Sequence, residues 1–203
     1  MNILAIYEQY QLPPNLIRHQ LEVTAVGRFI CDHWTGEPVD RDAIMQALLL
    51  HDMGNIIKFR RPFLGELEKD AQKWERVQDA FVRKYGTNVH ESTCAILKEL
   101  GALKALDLVE KMQEGSFSGY ENLSWESKIC EYADCCVTPK GVEGFEVRLA
   151  DLMHRYSRTA DESWTKTMRD NAISIEGLVN CDLKKLSTID FTKDIQNVTT
   201  SEI

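Results

Sequence analysis

Apolar residues recur at helical spacing along nearly the whole chain, whereas strand-like alternation and hairpin turn signals are scarce. That pattern restricts the fold to helices packed on helices. A short helix is predicted over roughly 2–10. Pro13-Pro14 then opens a long helix that runs to about Trp34 and closes at Gly36. Asp40 is the expected N-cap of a helix from 41 to about 52, stopped by Gly54, and a loop with "KFRRPFLG" follows. Further helices are predicted over about 70–85, from Asn88 to Leu100 with Glu91 completing a capping box, and over about 102–113. The last ones run from Ser124 to about Val137, over about 142–159 and over about 161–180, with Thr138-Pro139-Lys140-Gly141 turning the chain between the first two. The polar end "KDIQNVTTSEI" is expected to fray. The expectation is an all-α chain, with an N-terminal helix over 1–11, a single helical domain over 12–180 and a C-terminal tail over 181–203.

Several apolar stripes also carry an ionisable group. His19 shares its face with Leu16, Val23 and Val26, and His51 shares its face with Ile44, Ala47 and Leu48. Asp134 follows Cys130 by one turn and precedes Val137, and His90 precedes Cys94 and Leu97 at the same kind of spacing. Asp52 stands beside His51, at the end of the run "ALLLHDMGN". A single histidine on an apolar face is ordinarily a core residue with a satisfied partner. Four or five such groups from separate helices are costly to bury unpaired, on the order of 1–3 kcal/mol each. A divalent cation satisfies them together, because neutral imidazole and ionised carboxylate are its usual ligands.

Composition narrows the partners. The formal charge of −8 argues against broad, non-specific binding to a nucleic-acid backbone, yet leaves room for a small anion in a local basic pocket. The six cysteines form no CxxC pair, so reduced thiols are expected, not a disulfide framework or a zinc knuckle. "MNILAIYEQYQLPP" has no basic leader segment and no apolar run is long enough to span a bilayer, which makes the cytoplasm the expected compartment and a membrane partner unexpected.

With these residues in place the chain resembles the HD-domain superfamily of metal-dependent phosphohydrolases. The resemblance rests on His19 in "LIRHQLEVTAVG", His51-Asp52 in "LLLHDMGN" and Asp134 in "ICEYADCCVTPKG", and covers about residues 12–156, "GFEVRLADLMHRY" included. It implies a helical bundle around a central metal held by His19, His51, Asp52 and Asp134. One divalent ion is implied, drawn from Mn, Co, Ni, Fe, Mg or Zn, with a second metal less favoured. Many relatives carry Lys where this chain has Asn55, with Lys58 three residues later. The Glu-Asp pair of the guanosine-tetraphosphate hydrolases and the Gly-Tyr-Pro motif of the cyclic-dinucleotide hydrolases are both missing. Dinuclear relatives, including di-iron oxygenases of the same fold, need two more histidines; His90 fills one place and no histidine lies between 91 and 133 for the other.

The activity implied is hydrolysis of a nucleotide or other small phosphate ester by metal-bound water, with Asp52 and His90 as catalytic candidates. Lys58, Arg60 and Arg61 form the densest basic patch near the dyad, and with Arg18 and Lys140 they are the candidate phosphate contacts. A solvated basic loop explains the same patch without any ligand. His33 at a helix end and His154 off the apolar stripe are read as structural and surface residues, and Trp74, Trp125 and Trp164 as core or rim. The competing classes are the di-iron oxygenase and a metal-binding regulatory domain without turnover. A homodimer is compatible with a helical domain of this size.

Overall fold

The structure is a computed structural model that describes residues 2–115, 122–155 and 162–203. The chain runs through α1 (Ile3–Gln9), α2 (Pro14–Asp32), α3 (Arg41–Leu50), α4 (Ala71–Tyr85), α5 (Val89–Leu100), α6 (Leu103–Gly115) and α7 (Trp125–Asp134). A two-stranded hairpin, β1 (Val137–Thr138) and β2 (Gly141–Val142), leads into α8 (Phe145–Arg155), α9 (Glu162–Glu176) and α10 (Thr192–Thr199). Short 3-10 turns lie at Asn55–Lys58, Gly65–Asp70 and Leu183–Thr188. The protein is thus mostly helical. Among the described residues no helix is long and apolar enough to cross a membrane.

Local chemistry accounts for the helix starts. The Asp40 side chain accepts from Ala43 N, Asn88 from His90 N and Glu91 N, and Ser124 from Ser127 N, each satisfying donors that the first turn leaves open. Pro14 opens α2, where a missing N–H is harmless. Gly101 ends α5 at φ 69°, a left-handed conformation that suits glycine.

Helices α2, α3 and α7 pack on one another, and α3 and α5 also meet α6. Val23, Val26 and Ile30 of α2, Ile44 and Leu48 of α3, and Ile129 and Ala133 of α7 are fully buried there. The α2–α3 approach is close because Gly27 has no side chain: a Cβ there would collide with Leu48 Cδ1. This three-helix core delivers the candidate ligands: one from within α2 and one at the C-terminal end of each of α3 and α7.

Two segments differ from the sequence expectation. The C-terminal residues do not fray: α10 packs on α2, Phe191 meets Phe29 edge-on at 5.8 Å, and Ile3 N donates to Ser201 O at 3.1 Å. Leu183, Leu186, Phe191 and Val198 are buried, and those few apolar side chains are enough to dock a segment that is otherwise polar. The stretch after Asp134 forms the hairpin before α8 begins, the chain reversing at Pro139-Lys140 and Thr138 pairing with Gly141, whose φ is 121°.

Candidate metal centre and its cavity

Three helices converge on one point. His19 comes from the first half of α2, His51 caps the C-terminus of α3, and Asp134 is the last residue of α7. Each offers one ligand atom, and these atoms lie within 4.8 Å of one another. His19 Nε2 is 3.0 Å and His51 Nε2 3.7 Å from Asp134 Oδ1, and the two imidazole rings are 5.5 Å apart between centroids. Asp52 lies at the edge of the group, with one oxygen 3.7 Å from His19 Nε2 and the other 3.8 Å from His51 Nε2.

The hydrogen bonds define which atoms face inward. His51 Nδ1 lies 2.8 Å from the Leu48 carbonyl, which can only accept, so Nδ1 carries the proton. In the neutral ring this leaves Nε2 as a lone pair aimed at Asp134. Both His51 Nε2 and Asp134 Oδ1 are buried, and neither makes a well-aligned hydrogen bond, although His19 Nε2 lies 3.0 Å from that oxygen. The fully buried Gln20 side chain accepts from Asp52 N at 3.3 Å and so ties α2 to the dyad turn. Asn55 N donates to the Asp52 carbonyl at 2.9 Å, and Gly54 N donates to Thr93 Oγ1 at 3.0 Å, which seats that turn on α5.

Electrostatics follow the geometry. Burial alone would lower the His51 pKa, but the Asp52 and Asp134 carboxylates reverse the effect and raise it to about 9. Burial would raise the Asp134 carboxyl, yet the His19 and His51 imidazoles hold it well below the usual carboxylate range. Two imidazole nitrogens and a carboxylate oxygen, two of these atoms buried without a well-formed hydrogen bond, suit a first-row divalent cation. His19, His51 and Asp134 could therefore hold a metal ion, with Asp52 beside them.

A cavity of about 230 Å³ opens beside this group, with His19 and Asp52 in its wall. Leu16, Phe59 and Pro139 supply apolar surface and Asn15, Asn55 and Thr138 polar surface. Glu22 also faces it, its carboxyl pushed up by burial against the opposing pull of Arg18 and His19. A larger cavity of about 420 Å³ lies over the stacked rings of Tyr132 and Phe145 and includes none of the converging residues. The converging residues therefore adjoin the smaller cavity.

The predicted phosphate contacts divide. Arg18 and Lys58 line the cavity, Arg18 also pairing with Glu66 at 3.1 Å. Arg61 is turned onto α4, where it donates to Gln78 Oε1 at 2.6 Å, Asp79 Oδ1 at 2.6 Å and the Glu75 carbonyl at 3.1 Å. Arg60 and Lys140 are exposed and outside the cavity wall. His90 lies in the first turn of α5, its Nε2 3.4 Å from Cys94 Sγ, and does not line the cavity. Trp74 is core, Trp125 packs on Trp34 at 5.4 Å, His33 bonds back to the Phe29 carbonyl, and His154 is exposed.

Arg148 and Arg155 of α8 line the cavity and were missed by the sequence reading. Their signal was available, since Arg148, Asp151 and Arg155 occupy one face of a helix at spacings that allow ion pairs. Comparison with protein-family models, curated proteins and solved structures gave no match.

Proposed function

We propose that the protein is a metal-dependent phosphohydrolase of the HD-domain type, acting on a nucleotide or other small phosphate ester. One observation carries this reading: two histidines and an aspartate from three helices meet at the edge of a cavity that also presents Arg18, Lys58, Arg148 and Arg155. Ligands of that type hold a divalent ion, and cations beside them suit the equatorial oxygens of a phosphoryl group. When bound, such an ion supplies an activated water near neutral pH and draws charge from a phosphoryl oxygen. The remaining roles belong to the chain. The Leu48 carbonyl fixes the His51 tautomer, so that Nε2 is the ligand atom. Asp52, within 4 Å of both imidazoles, either completes the ligand set or accepts a proton from water there. Arg18 and Lys58 orient the phosphate, and Leu16, Phe59 and Pro139 limit the water that reaches it.

The test is metal content together with phosphate release. Purified protein supplied with Mn, Co or Ni is expected to carry about one divalent metal per chain and to release phosphate from members of a nucleotide and phosphate-ester panel. His51→Ala should lose both metal and turnover, whereas His90→Ala should keep the metal. About two irons per chain would move the protein to the oxygenase class. No metal under any loading condition would sink the catalytic reading.

A further inference from the structure

Two guanidinium groups on the cavity wall share a single carboxylate. Arg148 donates from Nη1 to Asp151 Oδ2 at 3.0 Å. Arg155 grips the same carboxylate with two nitrogens, Nε at 2.9 Å from Oδ1 and Nη2 at 2.7 Å from Oδ2. Both arginines line the cavity, whereas Asp151 does not. The carboxylate therefore stands behind the two cations and fixes their direction. It neutralises only one of them, and the surplus positive charge faces the cavity.

The surplus is not a solvated surface charge. The Arg148 side chain is only 13% exposed, and its Nε is buried with no hydrogen-bond partner. A guanidinium in that setting is costly unless its remaining donors find an anion. Arg155 is more exposed, at 41%, and stands at the solvent end of the pair. A rigid fork of N–H donors matches the oxygens of a phosphate better than a lysine ammonium does. Arg18, also in the wall, has Glu66 as its own partner, whereas Arg148 and Arg155 share one carboxylate.

We propose that Arg148 and Arg155, held from behind by Asp151, form an oxyanion subsite in the cavity that binds a phosphate group through the protein alone, without the metal. This rests on the reading of the cavity as a phosphate-ester site and adds to it the residues that grip the anion. Phosphate binding by metal-free protein is then a property of α8, and metal binding a property of α2, α3 and α7.

The experiment titrates inorganic phosphate into chelator-treated full-length protein, followed by calorimetry or phosphorus NMR. Saturable binding that weakens with added salt is expected for the unaltered chain. Arg148→Met and Arg155→Gln should each weaken it at least about tenfold, since a charge-assisted hydrogen bond is worth roughly that in affinity. Arg169→Gln, which removes an arginine that pairs with Glu146 outside this cavity, should leave it unchanged. Arg155→Gln lies at the exposed end of the pair, so it keeps the test informative should Arg148→Met fail to fold. Phosphate binding unchanged in Arg155→Gln and in any folded Arg148→Met would overturn the proposal, as would the absence of phosphate binding without metal. Neither result would touch the hydrolase reading, which fails separately if no metal is bound or no ester is turned over.

Discussion

Two of the polar clusters that join helices among the described residues differ in kind. At Glu99 of α5, one carboxylate oxygen accepts from Tyr10 OH at 3.2 Å, Tyr85 OH at 2.9 Å and Lys84 Nζ at 3.0 Å. Donors face an acceptor, and the cluster is complete in itself. Burial would raise the Glu99 carboxyl, but the three donors bring it below its ordinary value. At His19, His51 and Asp134 two imidazole nitrogens and a carboxylate oxygen converge instead, and two of these atoms are buried without a well-formed hydrogen bond. Convergence of polar groups alone therefore does not mark a ligand site. What distinguishes the second cluster is that every converging atom can serve as a metal ligand once His51 gives up its proton. The Glu99 cluster ties α4 and α5 to the end of α1, while the histidine cluster could hold a cation.

The largest expected effect separates the two clusters directly. Asp134→Asn or His51→Ala should weaken divalent-metal binding by about 100-fold or more, because a ligand and the geometry it imposes are both lost. Saturating metal should raise the melting temperature of the unaltered protein by several degrees, corresponding to about 3 kcal/mol at 100 times the dissociation constant. That increment should vanish in either variant, as read by thermal unfolding with and without metal. An unchanged increment would mean that the metal sits elsewhere.

The backbone beside the dyad is expected to be almost as intolerant. A Cβ at Gly54 would come within 2.6 Å of the Val89 carbonyl and 3.0 Å of Thr93 N, both backbone atoms that cannot move aside cheaply. Gly54→Ala should cost about 1–3 kcal/mol in denaturant unfolding, the range for overpacking a tight contact. It should also weaken metal binding, because the turn that carries Asp52 must shift away from α5. A variant as stable as the parent would show that the dyad turn is not seated as tightly as the Glu99 cluster.

Proton linkage gives a smaller and more specific signal. With its pKa raised from 6.5 to about 9, His51 in the metal-free protein contributes stability that is complete below pH 6.5 and lost as pH rises through 9. Asp134 is depressed, so its contribution is present above pH 3.8 and lost as pH falls through its folded value. The metal needs the neutral imidazole and competes with that proton. Near pH 7 each metal bound should expel about one proton, and affinity should rise about tenfold per pH unit until it levels near pH 9. Calorimetry in buffers of different ionisation enthalpy measures the proton count. A count of zero would remove His51 Nε2 from the ligand set.

Much of this arrangement was legible in the sequence because helical period fixes direction. His19 and His51 share faces with residues that proved fully buried, Val23 and Val26 in one case and Ile44 and Leu48 in the other, so their inward placement followed from spacing. The caps at Asp40, Asn88 and Ser124 were equally readable, since each is a local hydrogen bond. What escaped was set by tertiary approach. Arg61 is close to the dyad in sequence and turns onto α4, while Arg148 is distant in sequence and reaches the cavity through α8. The docking of the polar C-terminus depends on four apolar side chains too widely spaced to register as a helical stripe. The hairpin at 137–142 has two residues per strand, too few to show alternation.

The smallest expected effect completes the contrast. Glu99→Gln keeps the shape of the side chain and removes its charge. Lys84 then loses an ion pair at a site where both partners are substantially exposed, 57% and 41%, and such pairs contribute about 0–1 kcal/mol. Tyr10 and Tyr85 can still donate to the amide oxygen, so the helices stay joined. The expected result is a loss of about 1 kcal/mol or less in denaturant unfolding, with metal affinity unchanged. A loss several times larger would mean that the donors at Glu99 depend on its charge, and the distinction between a self-satisfied staple and a candidate ligand site would no longer hold here.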